Sequence, residues 1–276
     1  ELEAAGRELR AANARLQELD RLKDEFVSTV THELRTPLTS IRAFAEILLG
    51  APDIPDAQRA EFLGIIVKES ERLSRLINQV LDMAKLDSGR ADWRSEPVDL
   101  RALVHDAANA TSQLFRDKGA ELTLDLDETP AAGEDTADGS LAGAHALHLA
   151  QQPAVITGDS DRLQQVLINL LSNAVKFCPD VHGRVAVRLR VREDGARIEV
   201  TDNGPGIPVA EQARIFEKFH QVSSQQAGKP KGTGLGLPIS QRIVERHGGT
   251  IRVESIEGEG ACFIVELPAQ VLANAA

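Results

Sequence analysis

His32 and Glu33 stand side by side in the run STVTHELRTPLTSIRAFAEIL (28–48), and Pro37 follows Glu33 by one helical turn. An imidazole and a carboxylate side by side are groups that could do chemistry, and a proline one turn later is unexpected in a run whose apolar residues keep a helical period. Thr36 lies four residues after His32 and shares its face. In the second half of the chain, four stretches have the chemistry of a nucleotide site. In NLLSNAVKF, Asn169 and Asn173 are one turn apart and Lys176 comes a turn later. An amide oxygen can ligate Mg²⁺ and a lysine can neutralise phosphate oxygens. Asparagine is a weak helix former, so two in a Leu/Val helix need a reason, a pair of capping or core amides being the alternative.

The second stretch, VTDNGPGIP, ends a strand in Asp202 and turns through Gly204 and Gly206. Glycine lets backbone approach a flat ligand, and a carboxylate suits the exocyclic amine of adenine, although DNG is also ordinary turn chemistry. The third, KGTGLGLPISQRIVERHGG, carries Gly232, Thr233, Gly234, Leu235 and Gly236 into a helix whose exposed N–H groups could hold phosphate. The polar run before it, 220–231, has the composition of a lid. The fourth, RIFEKFHQV, frames a charged turn with two phenylalanines. It reads as a helix near 209–218 that packs on the core, with Phe219 as the expected anchor of the lid.

These residues need elements to position them. Leu2, Leu9 and Leu16 keep a seven-residue beat through residues 1–25, continued by Leu19 and Leu22, which predicts a coiled-coil helix. The seam runs on through Phe26, Val30, Glu33, Pro37, Ile41, Phe44 and Leu48. A break at 50–56 separates it from a second helix, about 57–86, whose expected face is Leu63, Ile66, Ser70, Leu73, Ile77, Val80 and Ala84. A hairpin alone cannot bury both stripes, whereas two copies forming a four-helix bundle can, so residues 1–88 are expected to make a homodimer. Pro37 removes the donor that the carbonyl of Glu33 would normally receive, which makes this helix bendable beside His32.

Beyond Trp93 the pattern becomes mixed. A helix is expected from Asp99 as N-cap to Gly119, then a strand over 121–126. Residues 127–152 are small, polar and aperiodic, and read as a flexible insertion; His145 and His148 within it lack the companions of a metal site. A short strand, the helix carrying the two asparagines, strands at 184–191 and 196–202, the glycine-led helix and two closing strands complete an α+β two-layer sandwich over 95–270.

The net charge of −11 argues against a nucleic-acid-coating protein. Cys178 and Cys262 form no metal or disulfide pattern, which suggests a reducing, cytoplasmic setting. No apolar run is long enough to span a bilayer. The chain reads as a fragment of something longer, with a sensor or a membrane anchor expected upstream. His105, His182, His220 and His247 are expected at the surface or at caps.

Taken together, THELRTPLTSI, NLLSNAVKF, DNGPGIP, IFEKFHQV, GTGLGL and GEGACFIVELP resemble, in order, the H, N, G1, F, G2 and G3 segments of sensor histidine kinases of two-component signalling. The resemblance covers nearly all of the chain after about residue 20, and the insertion departs from it. It implies a dimerisation and phosphotransfer (HisKA-like) domain over 26–90, then an ATP-binding (HATPase_c-like) domain of the Bergerat type. It also implies ATP and Mg²⁺ as cofactors. His32 would be phosphorylated and would pass its phosphoryl group to an aspartate of a cognate response regulator, with Glu33 taking the imidazole proton. Thr36 would help water attack the phosphorylated regulator in a phosphatase reaction. Asn173 would hold Mg²⁺, Asn169 and Lys176 would lie near the phosphates, and Asp202 would read adenine.

Two rivals remain. Hydrolysing relatives with the same nucleotide fold place a glutamate where this chain has Asn169, which cannot serve as a base. A non-catalytic dimeric ATP-binding scaffold, a pseudokinase, would be expected to have lost Asn173, Asp202 or the glycines, and all are present.

Overall fold

The computed structural model describes residues 2–51, 53–89, 91–126, 154–192, 194–222 and 233–269. The chain divides into two compact units, residues 1–88 with the short segment 230–235, and residues 89–229 with 236–276.

In the first unit, α1 (Leu2–Gly50) and α2 (Asp56–Asp87) form a helical hairpin. The helix α1 continues through Pro37 without interruption. The expected seam holds from Phe26 onward: Phe26, Val30, Glu33, Ile41, Phe44 and Leu48 are all partly covered and Pro37 is buried. The side chains of Leu2, Leu9, Leu16, Leu19 and Leu22 lie outside those described. The rings of Phe44 and Phe62 meet at 5.2 Å and tie the two helices near their connection.

The expected face of α2 needs correction. Phe62, Ile65, Ile66, Glu69, Leu73, Leu76, Val80, Met83 and Leu86 are covered, while Leu63, Ser70, Ile77 and Ala84 are exposed. Apolar residues occupy two sides of this helix, so periodicity alone does not say which side meets α1. The second side leaves Leu63, Val67, Ile77 and Leu81 exposed. Gly89, in the left-handed region, follows the end of α2.

The second unit contains β1 (Glu96–Asp99), α3 (Leu100–Lys118), β2 (Glu121–Leu126), β3 (Val155–Gly158), α4 (Ser160–Phe177), β4 (Arg184–Arg192), β5 (Gly195–Asp202), α5 (Val209–Gln212), α6 (Gly236–Arg246), β6 (Thr250–Ile256) and β7 (Gly260–Pro268). The main sheet has the order β2-β4-β5-β7-β6, parallel only between β2 and β4. Leu163, Leu167, Leu170 and Leu171 of α4, Val104 and Ala107 of α3, and Ile239, Ile243 and Val244 of α6 are buried, as are Val185, Val187, Leu189, Ile198 and Val200 of the sheet. One layer of helices on one sheet is the sandwich the sequence predicts.

Asp99 caps α3, its side chain accepting from the N–H groups of Arg101 and Ala102, and Gly119 closes it in the left-handed conformation. The short strand expected before the asparagine helix is present as β3; it stands outside the main sheet and pairs with β1, a four-residue strand that carries Pro97 and has no apolar run to announce it. One expectation fails. The helix expected near 209–218 is only the single turn α5 followed by a 3₁₀ turn, Arg214–Phe216. Ile215 is its one buried apolar anchor, too little to sustain a longer helix. The insertion at 127–152 and most of the expected lid lie outside the described residues.

Candidate functional site

His32 is exposed on α1. Glu33 is turned toward α2, where its carboxylate lies 3.6 Å from the guanidinium of Arg72, itself 3.7 Å from Glu69. Thr36 is exposed, and its hydroxyl donates to the carbonyl of His32 at 3.3 Å, an ordinary helical back-bond. Sequence reasoning missed Arg72, because an arginine on a charged helix carries no signal of which partner it will meet.

In the second unit, the two asparagines, Lys176 and the start of α6 gather along α4. Asn169 and Asn173 are both half-covered. The amide nitrogen of Asn169 donates to the hydroxyl of Ser240 at 2.9 Å, and Ser240 is buried. Its amide oxygen packs against Gly236, where a Cβ would lie only 2.2 Å away. Glycine at 236 is therefore what lets the first residue of α6 approach Asn169. Ser240, five positions into an otherwise apolar face, is the partner that sequence reasoning missed. The ammonium of Lys176 stands over the ring of Phe177, 4.9 Å from its centroid.

Asp202 ends β5, is buried, and accepts from the N–H of Gly204 at 2.8 Å. Gly204 sits between that carboxylate and the end of α4: an added Cβ would lie 2.6 Å from Asp202 Oδ1 and 2.8 Å from the carbonyl of Phe177. Gly206 is left-handed and faces the carbonyl of Ile256, 2.2 Å from where a Cβ would be. Two further residues brace this turn. Asn203 accepts from the N–H of Arg184 and donates to the carbonyl of His182. Ser255 accepts from the N–H of Ile207 and donates to the carbonyl of Gly260. The DNG triplet is thus both a turn and a fixed frame around a buried carboxylate.

Phe219 is half-covered and in the left-handed region, unusual for an aromatic residue. His220 pairs with Glu211. Of the glycine run, Thr233 Oγ1 accepts from the N–H of Leu235, Gly234 is left-handed and Leu235 is buried; Gly232 lies outside the described residues. The surface or cap expectation for His247 is half corrected: it is buried, and its ring accepts from the N–H of Asp159, the N-cap of α4. Among the described residues there is no cluster of three or more metal-type side chains, and no helix is long and apolar enough to cross a membrane.

Residues 22–89 match the model of the His Kinase A (phospho-acceptor) domain. Residues 158–271 match that of the histidine kinase-, DNA gyrase B- and HSP90-like ATPases. The chain is 36% identical over 266 residues to the circadian input-output histidine kinase CikA of Synechococcus elongatus, covering 96% of this chain and 32% of that protein. It is 36% identical over 261 residues to the aerobic respiration control sensor protein ArcB of Escherichia coli, covering 94% and 30%. The structure of full-length ShkA in complex with AMPPNP is similar with a TM-score of 0.60 and 29% identity, covering 91% of this chain and 47% of that one. The chain thus spans under a third of the length of the two curated relatives named.

Proposed function

From a chain that belongs to the sensor histidine kinases, we infer an ATP-dependent autokinase in which His32 is the phosphoryl acceptor. The observation that carries this reading is the buried Asp202 framed by Gly204, a carboxylate at a strand end against which only a glycine fits. That frame suits a flat purine bearing an amine donor. Asn169, Gly236 and the N–H groups at the start of α6 suit the phosphates, with Lys176 adding positive charge. The amide oxygen of Asn173 suits Mg²⁺, which when bound would neutralise phosphate charge.

In the reaction, one ring nitrogen of His32 attacks the γ-phosphorus of ATP. The N–P bond forms as the bond from phosphorus to the β,γ-bridging oxygen breaks, and ADP leaves with that electron pair. Glu33 takes the proton from the other ring nitrogen, which keeps the attacking nitrogen electron-rich. The phosphoryl group then passes to a carboxylate oxygen of a receiver aspartate on a response regulator. Thr36, on the face of His32, would position the water that attacks the aspartyl phosphate of the regulator, releasing inorganic phosphate and the free carboxylate in a separate phosphatase reaction. The exposed stripe Leu63, Val67, Ile77 and Leu81 supports a homodimer of hairpins. A sensor or membrane anchor belongs to the longer protein of which this chain would be the cytoplasmic core.

The test is incubation with γ-labelled ATP and Mg²⁺, native chain against His32→Ala. Label that is acid-labile, base-stable and absent from the variant is the expected result. Label retained in the variant moves the acceptor elsewhere. ATP binding without label returns the reading to a dimeric scaffold.

A further inference from the structure

His247 follows the last residue of α6 and is 3% exposed. Its Nδ1 lies 2.7 Å from the carbonyl of Ile243, so Nδ1 carries the proton and donates. Its Nε2 is then an acceptor, and the N–H of Asp159 donates to it at 3.0 Å. Accepting at Nε2 while donating from Nδ1 requires the neutral ring. Asp159 is 4% exposed, caps α4 by accepting from the N–H of Arg162, and accepts from the N–H of Arg94 on the segment that leads into this unit. Trp93 of that segment packs edge-on against the imidazole at 5.6 Å. Gly158 completes the enclosure, since a Cβ there would stand 2.9 Å from the ring.

The same two helices meet again at Asn169, which touches Ser240 and Gly236. Moving from Asp159 to Asn169 along α4 moves from His247 back to Ser240 along α6, so the helices run antiparallel and are fastened at two levels. The levels are about 10–15 Å apart along the helix axes.

We propose that His247 is a positioning residue for the nucleotide: its neutral imidazole ties the start of α4 to the end of α6 and thereby fixes how Asn169 and Gly236 meet at the other level. This rests on the reading of Asn169 and Gly236 as phosphate-side residues. Protonation of the ring would set Nε2–H against the N–H of Asp159 and undo the tie. The charged groups facing the ring are the Asp159 carboxylate, which favours protonation, and Arg246, which opposes it. Arg94 turns its guanidinium away, to Asp161. Burial is the largest influence and holds the imidazole below its ordinary value near 6.5, so the tie is intact at neutral pH and opens in acid.

Three proteins decide the matter: the native chain, His247→Gln, whose amide oxygen can replace Nε2 as acceptor, and His247→Asn, which keeps only the donor to Ile243. The dissociation constant for Mg²⁺–ATP is measured by calorimetry from pH 5 to 8, with His32 labelling at saturating ATP and the melting midpoint alongside. The expected result is about tenfold weaker ATP binding in the Asn variant at pH 7.5, restored in the Gln variant, with labelling at saturation near native. Native affinity falls in acid and that of the Gln variant stays flat. Equal affinities in all three, equal losses in both variants, or an acid loss that persists in the Gln variant overturns the proposal. Should the Asn variant fail to fold, the pH comparison of native and Gln proteins decides alone. A native chain that binds no ATP overturns the nucleotide reading and this proposal together; ATP binding that ignores residue 247 overturns the proposal alone.

Discussion

Arg72 of α2 holds Glu33 of α1 at 3.6 Å, while the neighbouring His32 stays exposed. Adjacent helical residues diverge by about 100°, so the carboxylate beside the candidate acceptor points across the hairpin. To take the imidazole proton, Glu33 has to exchange partners. A partly exposed ion pair contributes roughly 0–1 kcal/mol, so the exchange costs little.

Glu33→Gln should therefore lower the rate of His32 labelling by about 100-fold or more, the contribution of a general base. The KM for ATP should stay unchanged. Arg72→Met should shift the melting midpoint by no more than a few degrees, about what 1 kcal/mol gives in a domain of this size. Single-turnover labelling and thermal melts check both; a large loss of stability in Arg72→Met would mean that the pair matters to the hairpin more than its exposure allows.

Gly236→Ala places a methyl group 2.2 Å from the amide oxygen of Asn169. The obstacle is the end of a side chain, so Asn169 can swing away and give up Ser240. Folding should be nearly unaffected while ATP affinity falls about tenfold, the loss of one well-placed hydrogen bond. Titration calorimetry beside a thermal melt separates the two effects.

Gly260→Ala should behave in the opposite way. Its φ is +110°, and a Cβ would meet the carbonyl oxygen of Asp202 at 2.0 Å. That obstacle is backbone and cannot rotate. A loss of about 1–3 kcal/mol or more is expected from strain alone, measured as a shift in the urea midpoint. A variant as stable as the native chain would show that the β6–β7 turn yields more easily than its geometry implies.

Asp202→Asn keeps the shape of the side chain but replaces a charged acceptor. ATP affinity should drop about 10- to 100-fold, with far-ultraviolet circular dichroism unchanged. Competition with GTP provides the control: the native chain should prefer ATP strongly, and the variant should lose most of that preference.

Burial pushes the Cys262 thiol above its ordinary range. At pH 8 it should alkylate with iodoacetamide more slowly than a free cysteine, and the rate should rise to the free value in urea. Equal rates in the native and unfolded chains would contradict the burial.

The seam of α1 was readable because Phe26, Val30, Glu33, Pro37, Ile41, Phe44 and Leu48 continue in steps of three and four, although Val27, Leu38, Ile47 and Leu49 lie exposed off it. On α2, Phe62 and Leu63, Ile66 and Val67, and Val80 and Leu81 are neighbours on different sides, and only contact with α1 chooses between them. The caps Asp99 and Gly119 were legible because local chemistry decides them. The pairing of β1 with β3 was not, because it joins segments far apart in sequence with little apolar pattern in either. Motif residues announced the candidate site. Its supports did not: Ser240, Asn203 and His247 are polar residues whose partners only the fold supplies.

The sheet order also bears on how the chain reaches its native state. The pairs β4–β5 and β6–β7 are tight local hairpins, closing at Arg192↔Gly195 and Ile256↔Gly260. By contrast, Glu121↔Arg184 and Asp202↔Ala261 join residues about 60 positions apart, and such closures carry a larger entropic cost and form later. Asp202 sits at one of these late seams. A chain cut after β5 could still form its first hairpin, but it would lack the strand against which Asp202 is held. The candidate adenine-side carboxylate is thus assembled by a long-range closure of the chain, and nascent polypeptide shorter than about residue 261 lacks the strand that holds it.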